Sequence, residues 1–169
     1  MFKSMITRIP GRLFNLAGFL FCAGLLGYAY HVQFNQGLEP CPLCIFQRVA
    51  FLASACVFLL AAVHNAGRVG SRVYALLILL ASLSGAAIAG CHVRLQHLPA
   101  DQVPECGPGL DYMLEVFSFS ETLKRVFTGS GECAEVSWQL LGLSMPTWSL
   151  LCFIGLAVAG FTRNWLAGD

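Results

Sequence analysis

Ile45-Phe46-Gln47-Arg48-Val49-Ala50-Phe51-Leu52-Ala53-Ser54-Ala55-Cys56-Val57-Phe58-Leu59-Leu60-Ala61-Ala62-Val63 decides the fold, because it is mostly apolar and its one charged residue is an arginine near its start. A helix crossing the hydrocarbon core needs about 20 mostly apolar residues. This run meets that length. Three others match it: Leu13 to Val32, Val73 to Cys91 and Met145 to Thr162, none of which contains Asp, Glu, Lys or Arg. Backbone groups in lipid must be satisfied within their own segment, so each run is expected to be a helix. The first could be read as a cleaved leader, since Lys3, Arg8 and Arg12 precede it, but its apolar run exceeds the usual 7–15 residues and predicts a retained span.

Composition agrees. Of the 169 residues, 57% are apolar and 11% charged, against soluble averages of about 45–50% and about 25%. A soluble single-core domain is excluded. The net charge of +1 and the lack of a basic run exclude a nucleic-acid binder that works by bulk charge. The expected fold class is all-α: a four-helix transmembrane bundle over residues 1–169 as a single membrane domain, with neither repeats nor low-complexity segments.

Basic residues set the expected orientation. Lys3, Arg8, Arg12, Arg68, Arg72 and Arg163, six of the ten, fall on the side that holds both termini, which predicts a cytoplasmic location for that side. The other side receives the loops 33–44 and 92–144. The longer loop carries Asp101, Glu105, Asp111, Glu115, Glu121, Glu132 and Glu135 against Arg94, Lys124 and Arg125. It also predicts one helix from Asp111 to Phe127, with Met113, Val116, Phe117, Leu123 and Phe127 roughly on one face. That helix is expected either to lie at the membrane interface or to pack on the bundle.

On this topology the eight cysteines separate. Cys22, Cys56 and Cys152 fall within spans, where a thiol acts as a small apolar filler. Cys91 stands at the outer end of the third span with no assigned role. Cys41, Cys44, Cys106 and Cys133 lie in the outer loops, and their three possible pairings are not distinguished by spacing.

Cys41-Pro42-Leu43-Cys44 opens the second span, with Pro42 where a missing N–H costs nothing. The partial positive charge of a helix N-terminus stabilises a thiolate, so this pair reads as a redox dithiol. Zinc is disfavoured by spacing, because a structural site needs two more ligands and the remaining loop cysteines are isolated. Arg48, one turn into the span, is costly unless it snorkels, is paired or faces a cavity. It shares a helix face with Cys44, which suits it to stabilise that thiolate or to polarise an oxygen of a bound electron acceptor. Gln47 is placed to donate to the same ligand, and His92 to add a hydrogen bond or a proton.

Cys41-Pro42-Leu43-Cys44-Ile45-Phe46-Gln47-Arg48, Gly129-Ser130-Gly131-Glu132-Cys133-Ala134-Glu135 and Trp138-Gln139-Leu140-Leu141-Gly142-Leu143-Ser144-Met145-Pro146-Thr147-Trp148 together resemble the DsbB family of bacterial inner membranes. The resemblance runs through nearly the whole chain. It implies redox disulfides Cys41–Cys44 and Cys106–Cys133, a quinone (ubiquinone or menaquinone) beside Arg48, and a periplasmic DsbA-like thioredoxin-fold partner whose dithiol is reoxidised. It implies that Cys106 forms the mixed disulfide with that partner and that Cys133 then attacks Cys41, releasing Cys44. It also matches His92 to a family histidine at the outer end of the third span. Two alternatives remain. A vitamin-K-epoxide-reductase-like protein combines similar parts, although a C-x-x-C opening the second of four spans favours the DsbB order. A non-catalytic protein stapled by disulfides leaves Arg48 and the helix-opening dithiol unexplained.

Overall fold

The computed structural model describes residues 10–99, 110–128, 131–136 and 138–166. Four long helices dominate: α1 (Gly11–Gln36), α2 (Pro42–His64), α3 (Arg68–Gln96) and, after the long connection, the last helix (Met145–Leu166). Each is long and apolar enough to cross a membrane, and the four apolar runs lie inside them. The connection holds α4 (Leu110–Val116), α5 (Phe119–Thr128), α6 (Gly131–Ala134) and a hairpin of β1 (Gln139–Leu140) and β2 (Leu143–Ser144). The last helix is therefore α7.

Helix ends follow local chemistry. Gly37 closes α1 at φ 65°, a left-handed conformation that is inexpensive without a Cβ. Cys41 caps α2 in extended conformation, and Pro42 occupies its first turn. Asn65 ends α2 at φ 41° and donates its N–H to the Ala61 carbonyl at 3.1 Å. Only Ala66 and Gly67 separate that cap from α3, so Arg68 and Arg72 belong to the first turns of α3. At a rise of about 1.5 Å per residue, the 29 residues of α3 span about 44 Å. That exceeds a core of about 30 Å, so both ends of α3 reach beyond the hydrocarbon or the helix tilts.

Packing between the helices depends on small residues. A Cβ on Gly18 would stand 2.7 Å from the Phe58 ring, and one on Gly85 would stand 2.4 Å from the Phe153 ring. Glycine lets each ring sit against the facing backbone, as expected where lipid removes the hydrophobic drive for association. Phe153 also stacks on Phe51 with centroids 3.9 Å apart. Around them Cys22, Ala55, Ile78 and Leu156 complete the core, while Leu20, Leu52, Leu60, Leu80 and Ile154 are exposed on the outer faces. α7 packs mainly on α3, α1 on α2 and α2 on α3, whereas α1 and α7 touch little.

The long connection differs from its expected form. The single helix 111–127 is two helices broken at Phe117 and Ser118, because Thr122 Oγ1 donates to the Met113 carbonyl at 3.0 Å and folds α5 back on α4. The Ser118 carbonyl accepts from the Thr122 and Glu121 amides. Met113 and Val126 are buried in a cluster with Cys41, Leu43, Leu95 and Cys133, so this segment packs on the bundle end. The hairpin was not foreseen. Its turn residues Leu141 and Gly142 have φ 55° and 79°, the double positive-φ geometry that matches the twist of a two-residue hairpin loop. Trp148 Nε1 donates to the Leu140 carbonyl at 3.1 Å and Ser144 Oγ to Gln96 Oε1 at 2.6 Å, which tie the hairpin to α7 and α3.

Candidate functional site

The N-terminus of α2 meets the last turns of α3 and the short α6. Cys41 Sγ accepts the Cys44 backbone N–H at 3.4 Å, so the first thiol of the C-x-x-C caps its own helix. The two sulfurs are 3.0 Å apart as unjoined thiols. A disulfide requires about 2.05 Å, so a shift of about 1 Å closes or opens the pair.

His92, expected to add a hydrogen bond or a proton here, is buried, 2% exposed. Its Nδ1 faces Gln47 Nε2 at 3.0 Å, and its Nε2 faces Cys41 Sγ at 3.8 Å. An amide nitrogen donates, so this orientation of Gln47 makes Nδ1 an acceptor and puts the ring proton of neutral His92 on Nε2, directed at the Cys41 sulfur. Gln47 thus orients the histidine as well as lining the neighbouring cavity.

α6 delivers the third sulfur. Cys133 is 1% exposed, and Cys41 Sγ, His92 Nε2 and Cys133 Sγ all lie within 4.8 Å of one another. Two cysteines far apart in sequence are therefore neighbours, with a proton-bearing ring beside them. That juxtaposition permits a thiolate on Cys133 to attack Cys41, which would displace Cys44 at a helix N-terminus able to hold its charge. Cys106, the remaining loop cysteine singled out by sequence, lies outside the described residues.

On the far side of Cys44 a cavity of about 170 Å³ opens between α1, α2 and α7. Cys44, Gln47, Arg48 and His92 are among its polar lining, with Gln33, Glu39 and Gln96, and Leu25, Phe51, Pro146 and Trp148 are among its apolar lining. Arg48 does not snorkel away from the protein. Its guanidinium donates to Gln33 Oε1 and, at 3.3 Å, to the Ala29 carbonyl, and it sits 4.9 Å from the Tyr30 ring centroid. Guanidinium has five N–H donors, so these two bonds to α1 leave capacity for a ligand in the cavity. Sequence reasoning missed Gln33, Tyr30 and the wall from Pro146 and Trp148. The signal available was a polar side chain ending the first apolar run and tryptophans flanking the start of the last.

The remaining cysteines stand apart from the three sulfurs. Cys22 is buried in the core, Cys56 and Cys91 are exposed on helix surfaces, and Cys152 lies at the cavity's edge.

In sequence the chain is similar to known proteins over most of its length. The family described as "Disulfide bond formation protein DsbB" matches residues 11–162. Relatives named "Disulfide bond formation protein B" include one from Methylococcus capsulatus, 55% identical over 162 residues, covering 96% of this chain and 99% of that protein. Another, from Hahella chejuensis, is 55% identical over 147 residues, covering 87% and 86%. A third, from Nitrosococcus oceani, is 54% identical over 151 residues, covering 89% of each. With a match that takes in all four long helices and both described thiol-bearing segments, the chain belongs to the DsbB family of disulfide bond formation proteins.

Proposed function

We propose that the protein is a thiol oxidase of the bacterial inner membrane that reoxidises a periplasmic DsbA-like dithiol protein and passes the electrons to a membrane quinone. The observation that carries this reading is the continuous path from Cys133 through Cys41 to Cys44, ending at a cavity that Arg48 also lines. Both termini are cytoplasmic in this reading, and the three sulfurs face the periplasm.

The relay begins at the loop. A thiolate of the partner attacks a Cys106–Cys133 disulfide at Cys106, and Cys133 leaves with the electron pair. Cys133 then attacks Cys41 of a Cys41–Cys44 disulfide, and Cys44 leaves as a thiolate. His92 Nε2 stands where it can donate a hydrogen bond to a thiolate on Cys41. The helix N-terminus stabilises sulfur anions at this end of α2. The partner's second thiol then displaces Cys106 from the mixed disulfide, Cys106 re-forms its bond to Cys133 and frees Cys41, and the Cys41–Cys44 dithiol gives up two electrons and two protons, so that per turnover the acceptor gains what the partner loses.

A bound quinone would supply the oxidising power. A DsbA-type protein has a potential near −120 mV, whereas structural disulfides lie below about −300 mV, a gap of roughly 8 kcal/mol for a two-electron couple. An unaided disulfide would therefore be a poor oxidant for such a partner. The cavity suits a flat ring: Phe51 and Trp148 offer apolar walls, and Arg48 offers N–H donors for a carbonyl oxygen. An apolar groove of about 540 Å³, lined by Phe14, Phe21, Leu151 and Leu156 among others, shares Trp148 and Cys152 with the cavity and fits a hydrocarbon tail.

The test is anaerobic. Detergent-purified protein is mixed with a reduced DsbA-type partner and a quinone, and quinone absorbance is followed beside the partner's thiols. Two thiols lost per quinone reduced, with Cys44→Ser inactive, is the expected result. Unchanged quinone in the presence of reduced partner would overturn the reading.

A further inference from the structure

The side chains that line up for disulfide exchange also form a metal donor set. Cys41 Sγ, His92 Nε2 and Cys133 Sγ are buried and mutually within 4.8 Å, Cys41 Sγ is 3.8 Å from His92 Nε2, and Cys44 Sγ is 3.0 Å from Cys41 Sγ. Tetrahedral zinc with Zn–S of about 2.3 Å and Zn–N of about 2.0–2.1 Å sets its sulfurs about 3.8 Å apart and a sulfur and nitrogen about 3.5 Å apart. The distance from Cys41 to His92 is already close to that value, and the C-x-x-C sulfurs need to part by about 1 Å. The spacing of cysteines along the chain had disfavoured zinc for want of further ligands. The fold supplies them from α3 and α6.

The surroundings fit as well. A ligating histidine ordinarily has its second ring nitrogen held by a hydrogen bond, and Gln47 occupies that place at 3.0 Å from Nδ1. With metal at Nε2 the ring proton moves to Nδ1, and a half-turn of the Gln47 amide presents its oxygen as acceptor.

We propose that when Cys41, Cys44 and Cys133 are all reduced, this site binds one Zn²⁺ through the three sulfurs and His92 Nε2. Binding releases three thiol protons and moves no electrons. A Cys41–Cys44 disulfide removes two of the four donors, so affinity follows the oxidation state of the protein. The metal-bound form holds every nucleophile of the inner relay and is inactive in exchange until the ion is withdrawn. The proposal needs only these four side chains and is independent of the identity of the electron acceptor.

The experiment titrates Zn²⁺ into full-length protein in detergent, anaerobically, against a chromophoric chelator, after reduction by a phosphine and again after oxidation. X-ray absorption of the reduced wild-type complex requires no variant. The expected results are one zinc per reduced chain, at least about 100-fold weaker binding when oxidised, and a shell of three sulfurs near 2.3 Å with one nitrogen near 2.0 Å. Because loss of an outer-shell partner costs about 10–100-fold in metal affinity, Cys133→Ser and His92→Ala should each cost at least about 100-fold and Gln47→Ala about 10-fold. Cys56→Ala, on an exposed helix face, should bind as wild type. Equal binding in both oxidation states, a shell with fewer than three sulfurs, or wild-type affinity in Cys133→Ser would overturn the proposal.

Discussion

At one end of the seam between α1 and α7, Asn15 and Asn164 exchange reciprocal side-chain hydrogen bonds of 3.0 Å, both buried, while Ser71 Oγ holds the Asn164 carbonyl at 2.6 Å. At the other end the same two helices stand apart around the cavity, and Arg48 of α2 reaches to Ala29 and Gln33 of α1. The first end ties α1 directly to α7 through paired amides, beside a polar hollow of about 270 Å³ with no sulfur among the described residues that line it. Among the described residues the second has no such tie between the two helices, and it keeps sulfurs within exchange distance beside its cavity. A bundle cross-tied at one end can hold its helices apart around a ligand site at the other.

The largest expected effect lies at the sulfur end. Cys106→Ser should abolish oxidation of the DsbA-type partner, followed by its free thiols, while oxidation of dithiothreitol by quinone continues through Cys41 and Cys44. Unchanged partner oxidation would remove Cys106 from the relay. Next comes Arg48→Ala. A hydrogen bond from a charged group is worth about 1.5–3 kcal/mol, so the quinone KM should rise roughly 10- to 100-fold with little change in partner affinity. Steady-state kinetics with an unaltered quinone KM and rate would reduce Arg48 to a tie between α1 and α2.

The cross-tied end should respond in stability and not in chemistry. A double-mutant cycle of Asn15→Leu and Asn164→Leu should give a coupling near the average of about 0.6 kcal/mol for hydrogen bonds between membrane helices, and no more than their maximum of about 1.7 kcal/mol. It would be read from unfolding in detergent, with the quinone KM unmoved. A shift in KM of the Arg48→Ala size would show that the two ends are not separable. The smallest effect is expected for Cys56→Ala: stability within about 0.5 kcal/mol and unchanged turnover, as for surface positions away from special features.

The four spans were legible because a membrane requires long unbroken apolar runs, and such runs cannot be disguised by tertiary context. The connection between α3 and α7 was less so. Its break at Ser118 follows from the bond between Thr122 and Met113, which no periodicity announces, and its hairpin strands are too short to alternate. Leu141 at φ 55° is an unusual residue for that turn position. At the site, the C-x-x-C and Arg48 declared themselves through a helix start and a charge in an apolar run. His92 was named from its place at the end of a span, but its depth was not legible, since that depends on Gln47 and α6 packing against it. The nearness of Cys133 to Cys41 is likewise a product of α6 resting on α3, which spacing along the chain does not encode.

That nearness is the most direct thing to measure. In a chain carrying Cys44→Ser and Cys106→Ser, mild oxidation followed by peptide mapping should join Cys41 to Cys133 in nearly every molecule. A Cys133 that stays a thiol, or that pairs with Cys91 instead, would contradict the path from the loop to the C-x-x-C.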